Sequence, residues 1–123
     1  MKTYKQIQNN VVTCQGTTPT YTFVLPKNVD LNIAESIYVT FSTFDDVDLF
    51  TKRETVGQEE SIHIVEPNIV TVDLTQQETF MFPLEGVVMQ LNWIYHVDAV
   101  IKRGASELVR IDVDENLLRE VIE

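Results

Sequence analysis

Ser36-Ile37-Tyr38-Val39-Thr40-Phe41-Ser42-Thr43-Phe44 is the stretch on which the fold turns. Its apolar side chains alternate, with Ile37, Val39 and Phe41 on one side. A period of two is what a strand shows when one face is buried and the other is wet. The run is also rich in β-branched and aromatic residues, which suit a pleated, half-buried surface. It therefore reads as a central strand. Asp45-Asp46-Val47-Asp48 supplies turn chemistry after it, and Leu49-Phe50-Thr51-Lys52 reads as the short returning strand of a hairpin.

The same alternation recurs outward in both directions. Tyr21 to Leu25 is a strand bounded by Pro19 and Pro26, because proline cannot donate to a sheet ladder. Ser61–Val65 and Ile69–Leu74 flank the compact turn Glu66-Pro67-Asn68 and should pair antiparallel, while Val56–Glu60 is a polar loop. In Val87–Tyr95, Val87, Met89, Leu91 and Trp93 alternate against Val88, Gln90, Asn92 and Ile94. Val97–Ile101 and Glu107–Val113 complete the set, with Arg103-Gly104-Ala105-Ser106 as the loop between them. About seven short strands, spaced by turn signals at intervals of about 8–12 residues, predict an all-β fold, an immunoglobulin-like antiparallel β-sandwich. An open barrel is the alternative, and the Cys…Trp…Cys frame of an antibody domain is missing. The apolar faces predict a core of Phe23, Ile37, Val39, Phe41, Val70, Val72, Met89, Leu91, Val109 and Ile111.

Two places depart from the strand pattern. Thr75 and Glu78, within Leu74–Phe80, have the spacing of a capping box, which predicts one short helical turn. Asp114 through Ile122 has a capping acid and apolar positions at Leu117, Leu118, Val121 and Ile122, which predicts a short C-terminal helix.

A chain of 123 residues, 44% hydrophobic and 23% charged, fits a single domain over residues 1–123, with Met1–Asn10 as an extension. It can bury a core without disulfides, a structural metal or a cofactor. Nine basic against nineteen acidic side chains leave a net charge of −10. Affinity for phosphate chains comes from Lys and Arg displacing counterions, so nucleic acid and anionic membranes are disfavoured as partners. The lone Cys14 cannot form an internal disulfide. The N-terminus has no apolar run like a signal peptide, and no segment approaches the ~18 apolar residues of a membrane span, so a cytoplasmic location is expected.

Catalysis would need a nucleophile, a base and an orienting group brought together. Cys14, His63 and His96 lie on three separate segments, and no known nucleophile motif surrounds them, so no enzyme is expected. Asp112, Asp114, Asn116 and Glu123 mimic the spacing of a calcium loop, but Leu117 stands where the sharp turn needs glycine. Asp45, Asp46 and Asp48 read as hairpin-turn residues and not as a cation site. Gly16-Thr17-Thr18-Pro19 lacks the lysine of a phosphate loop. Core packing is the stronger expectation for Tyr38, Phe41, Trp93 and Tyr95. Trp93 and Tyr95 nevertheless share a face near a strand end, which makes them the candidate platform for stacking on carbohydrate.

Several separated segments together carry a family resemblance: Gln15-Gly16-Thr17-Thr18-Pro19-Thr20 leading into Thr22-Phe23 and Leu25-Pro26; Ile37-Tyr38-Val39-Thr40-Phe41; Leu74-Thr75-Gln76-Gln77-Glu78-Thr79 followed by Phe82; and Val88-Met89-Gln90-Leu91. The chain resembles small prophage proteins of Gram-positive bacteria encoded among tail and baseplate genes, and is similar to the N-terminal β-sandwich domain of phage baseplate upper proteins. The resemblance runs from about Val12 to Ile122. It implies a non-enzymatic structural or assembly role, first in the host cytoplasm and then in the virion, through contacts with other phage structural proteins or further copies of the chain. Thr51–Ile62, polar and acidic, and Met1–Asn10 depart from the pattern.

Overall fold

The computed structural model describes residues 5–6, 12–58 and 60–122. It is an all-β sandwich of two sheets. Among the described residues the strands are β1 (Lys5–Gln6), β2 (Val12–Cys14), β3 (Thr20–Val24), β4 (Ser36–Ser42), β5 (Asp48–Thr55), β6 (Ile62–Glu66), β7 (Ile69–Asp73), β8 (Val87–Val97), β9 (Val100–Ala105) and β10 (Val109–Asp114). One short helix, α1 (Gln76–Phe80), follows β7. The large sheet has the order β1-β10-β8-β4-β5, with β2 also on β10 and β9 also on β8; the small sheet has the order β3-β7-β6.

The quoted stretch does lie centrally, with β4 flanked by β5 and β8, both antiparallel. The inward faces of the two sheets meet in one cluster. Ile37, Val39, Phe41, Val87, Met89, Leu91 and Ile111 come from the large sheet, and Tyr21, Phe23, Ile62, Val70 and Val72 from the small one. Nine of the ten expected core residues are buried, and Val109 is half-buried against the cluster. Phe82, just after α1, packs over the β4–β5 pair, its ring 5.8 Å from that of Phe41 and 6.2 Å from that of Phe50. Phe41 and Phe50, facing each other across the β4–β5 pair, stand 4.8 Å apart.

Three expectations need correction. The sandwich is not wholly antiparallel, because β1 and β2 both run parallel to β10 along its outer edge. The apolar alternation of Val12-Thr13-Cys14 is too short to announce a strand, and the long-range partner makes it one. The strand expected at Val97–Ile101 and the loop at Arg103–Ser106 are displaced: Asp98-Ala99 is the turn, and β9 continues to Ala105. No helix forms over Asp114–Ile122. There, Gln76 takes up the backbone of Ile122 from both sides, Nε2 donating to its carbonyl and Oε1 accepting from its N–H, each at 2.8 Å. Asn116 Nδ2 donates to the carbonyl of Gln15. These tertiary bonds satisfy groups that a helix would have paired within itself. Apart from Lys5–Gln6, the expected extension over residues 1–10 lies outside the described residues.

The capping box is present: Glu78 N–H donates to Thr75 Oγ1 at 3.2 Å, and Thr75 N–H donates to Glu78 Oε1 at 2.8 Å. Glu78 has a second task. Its carboxylate receives Lys52 Nζ at 2.7 and 2.9 Å, and that ammonium points off the inner face of β5 with its side chain only 11% exposed. Thr75→Ala should lower the denaturant midpoint by the equivalent of about 1 kcal/mol, as for a lost N-cap. Glu78→Ala should cost more, about 3 kcal/mol, because it also strands a half-buried charge. Equal losses in the two variants would remove the Lys52 pair from the stability of this corner.

Tyr21 carries a second buried polar link. Its hydroxyl shares a hydrogen bond with Thr13 Oγ1, joining β3 of the small sheet to β2 of the large one. Burial pushes the Tyr21 phenol up to about 12, the bond to Thr13 opposing this in part. The unfolded chain would ionise near pH 10, where the folded one does not. Stability is therefore intact below pH 10 and falls between about pH 10 and 12, since the unfolded state there binds fewer protons. Thermal midpoints taken across this range should drop for the wild type, and the drop should be shallower in Tyr21→Phe; identical slopes would contradict the assignment.

Candidate functional surface

Residues expected to compete for a catalytic role do not converge. Cys14 is half-buried on β2, its thiol donating to the carbonyl of Glu115 at 3.6 Å. His63, on β6 of the small sheet, lies 3.3 Å from Asp73, and His96, near the end of β8, lies 2.5 Å from Glu35. Each has its own partner on a different part of the fold. No group of three or more metal-ligating side chains occurs among the described residues. Asp45 and Asp46 are turn residues: Asp45 accepts from Thr43 Oγ1 at 2.6 Å, a bond that holds its carboxyl below the usual range, and Asp46 has φ 67°. Asp112 and Asp114 of the calcium-like spacing belong to β10, and Glu123 lies outside the described residues.

Trp93 and Tyr95 point inward. Trp93 is 9% exposed, and its indole lies over Gly104, its cross-strand partner on β9. Tyr95 packs half-buried against the core. The tryptophan ring therefore has no free face for stacking on a sugar, because the alternation of β8 that buries Leu91 buries Trp93 as well.

The polar surface lies on the opposite face of the large sheet, which the small sheet leaves uncovered. Tyr38 is registered opposite Arg53 on β5 and Asn92 on β8, Thr40 opposite Thr51 and Gln90, and Ile94 opposite Arg103 on β9. A period of two brings all of these to one face. Six of them, Tyr38, Thr40, Thr51, Asn92, Ile94 and Arg103, line an open groove of about 270 Å³. The Arg53 guanidinium sits 5.4 Å from the centre of the Tyr38 ring. Arg103 Nε donates to Asn92 Oδ1 at 3.2 Å, and the hydroxyls of Thr40 and Thr51 are bonded to each other at 3.0 Å. A second depression of about 200 Å³, sharing Thr40, runs toward Ser42, Asp46, Asp48, Gln90 and Leu108. Farther along, Arg110 stacks on Phe44 at 4.8 Å and donates to Asp112. Three of the chain's four arginines thus share this face. Reading each strand singly shows only scattered basic residues, and register across five strands is what gathers them.

The other feature is the β8–β9 hairpin. β4 accompanies β8 only as far as the Ser36–Ile94 pair, whereas β8 and β9 continue pairing to Val97–Val100. The arm beyond Ile94 has no third strand among the described residues. Its end exposes Val97 at 44%, Val100 at 54% and Ile101 at 63%. Asp98 and Ala99 both have positive φ, 50° and 67°, the geometry in which Asn-Gly would be less strained. The periodicity of Val97–Ile101 marked a strand, but not that it would leave the sheet.

No protein-family model matches the chain, and neither does any curated protein sequence.

Proposed function

We propose that the protein is a non-enzymatic structural or assembly component of a phage tail or baseplate, acting through protein–protein contacts. The observation that carries this reading is the projecting β8–β9 hairpin, with three exposed branched aliphatic residues at its end and one edge of β9 unpaired among the described residues. Apolar side chains clustered on a protruding arm are stabilised when a neighbour removes them from water, at roughly 25 cal/mol per Å² buried. An open strand edge offers a row of amides and carbonyls to a partner strand. The family resemblance supplies the phage context. Other phage structural proteins, or further copies of the chain, are the partners this surface suits, and neither nucleic acid nor membrane is needed. Assembly would take place in the host cytoplasm and end in the virion.

A free-standing carbohydrate-binding sandwich is the second reading, favoured by the groove on the outer face of the large sheet. Mass spectrometry of particles purified after prophage induction separates the two. Assembly predicts the chain in tails at a fixed ratio to other tail proteins; consistent absence, in a host that expresses the gene, would contradict it.

A further inference from the structure

We propose that the groove between Arg53 and Arg103 docks a carboxylate side chain presented by an acidic segment of a partner protein. The inference deepens the assembly reading by giving the partner a chemistry.

The first support is how the charges are paired. Acids outnumber bases nineteen to nine, so acidic partners are plentiful for surface cations. Lys52, Arg110 and Arg119 each have one, in Glu78, Asp112 and Glu115. Arg53 and Arg103 have no carboxylate partner among the described residues. Arg103 lines the groove and is held by the amide of Asn92, while Arg53 borders it through the Tyr38 ring over which it sits. Their strands are three spacings apart, about 15 Å. Arg53 leans over Tyr38 and Arg103 reaches Asn92, so both side chains extend inward toward the adjacent Tyr38–Asn92 pair.

The floor fits the same chemistry. Thr40 and Thr51 bring two hydroxyl hydrogens and use one of them on each other, which leaves the second to donate. Arg103 spends Nε on Asn92, which leaves its terminal nitrogens without a hydrogen-bond partner among the described residues. Guanidinium pairs bind carboxylates through charge-assisted, often bidentate, hydrogen bonds. Stacking of a pyranose on Tyr38 would require Arg53, which lies over that ring, to move aside. A nucleic acid would carry its charge along the whole acidic surface and be repelled. A single carboxylate feels mainly the two arginines, because charges beyond the Debye length of about 8 Å are screened.

The test is a titration of the full ¹⁵N-labelled chain, followed by NMR, with a six-residue peptide of alternating Glu and Ser and with its Gln counterpart. The Glu peptide should shift the amides of Tyr38, Thr40, Thr51, Asn92 and Arg103, and the Gln peptide should not. Arg53→Gln and Arg103→Gln should each weaken binding about tenfold, the scale of one charge-assisted bond. Lys27→Gln should leave it unchanged, and the Arg→Lys variants should fall between. All three sites are solvent-exposed, and unchanged thermal midpoints establish that the variants fold. Equal response to both peptides, shifts elsewhere, or indifference to the arginine variants would overturn the proposal. An oligogalacturonate that shifts these amides where the Glu peptide does not would overturn it in favour of a saccharide. Self-association lost in the same variants would make the occupant a second copy and overturn the separate partner. Absence from particles with peptide binding intact would defeat the assembly reading alone; presence in particles without peptide binding would defeat this one alone.

Discussion

Phe41→Ala is expected to remove about 4 kcal/mol of unfolding free energy, a large part of what a domain of this size has. Phe41 is fully buried on the central strand. Its ring contacts Phe50 across β5 and Phe82 from the segment after α1, so truncation removes two aromatic contacts and leaves a cavity lined by rigid neighbours. β4 is held on both sides by strand ladders and cannot move inward to fill the space. Phe50→Ala should cost less, about 2 kcal/mol, because that ring is already half-exposed. Urea denaturation measures both. Equal midpoints for the two variants would mean that Phe41 is not the centre of the core.

Gly104→Ala should produce the second large loss, about 3 kcal/mol, by overpacking. A methyl at this position would fall inside the Trp93 indole, against Cε2, Cζ2 and Nε1. The indole cannot swing away without leaving the core, since its far side packs with buried neighbours. The signature that separates this from a loss of strand propensity is coupling. Trp93→Leu alone should destabilise, yet in its presence Gly104→Ala should cost little, giving an interaction energy of about 2 kcal/mol. Additive losses would place the cost of Gly104→Ala in the backbone and not in the ring.

The same glycine explains where sequence reading succeeded and where it failed. The alternation of β4, β7 and β8 is a local property, and the buried faces of Ile37, Val70 and Leu91 follow from it directly. Thr75 and Glu78 were legible for the same reason, because a capping box is written within four residues. Arg103-Gly104-Ala105-Ser106 looked like a loop, since propensity knows nothing of the indole that requires a glycine beneath it. β2 became a strand only by meeting β10, about 100 residues later in the chain. The C-terminal segment had the periodicity of a helix but found better partners in Gln76 and Gln15. The outer-face groove was hidden altogether, because its residues come from β4, β5, β8 and β9 and, Ile94 apart, carry polar groups.

The proposed assembly role depends on the exposed end of the β8–β9 hairpin and not on a reactive group. In a lysogen whose own copy of the gene is deleted, wild-type protein and the variant Val100→Glu/Ile101→Glu would be supplied in turn, and the amount in purified particles measured by quantitative mass spectrometry. Both substituted positions are exposed, so the variant should fold and melt as the wild type does. The predicted result is wild type retained in particles and the variant left in the soluble fraction. Retention of the variant at the wild-type level, or absence of the wild type itself, would contradict that role.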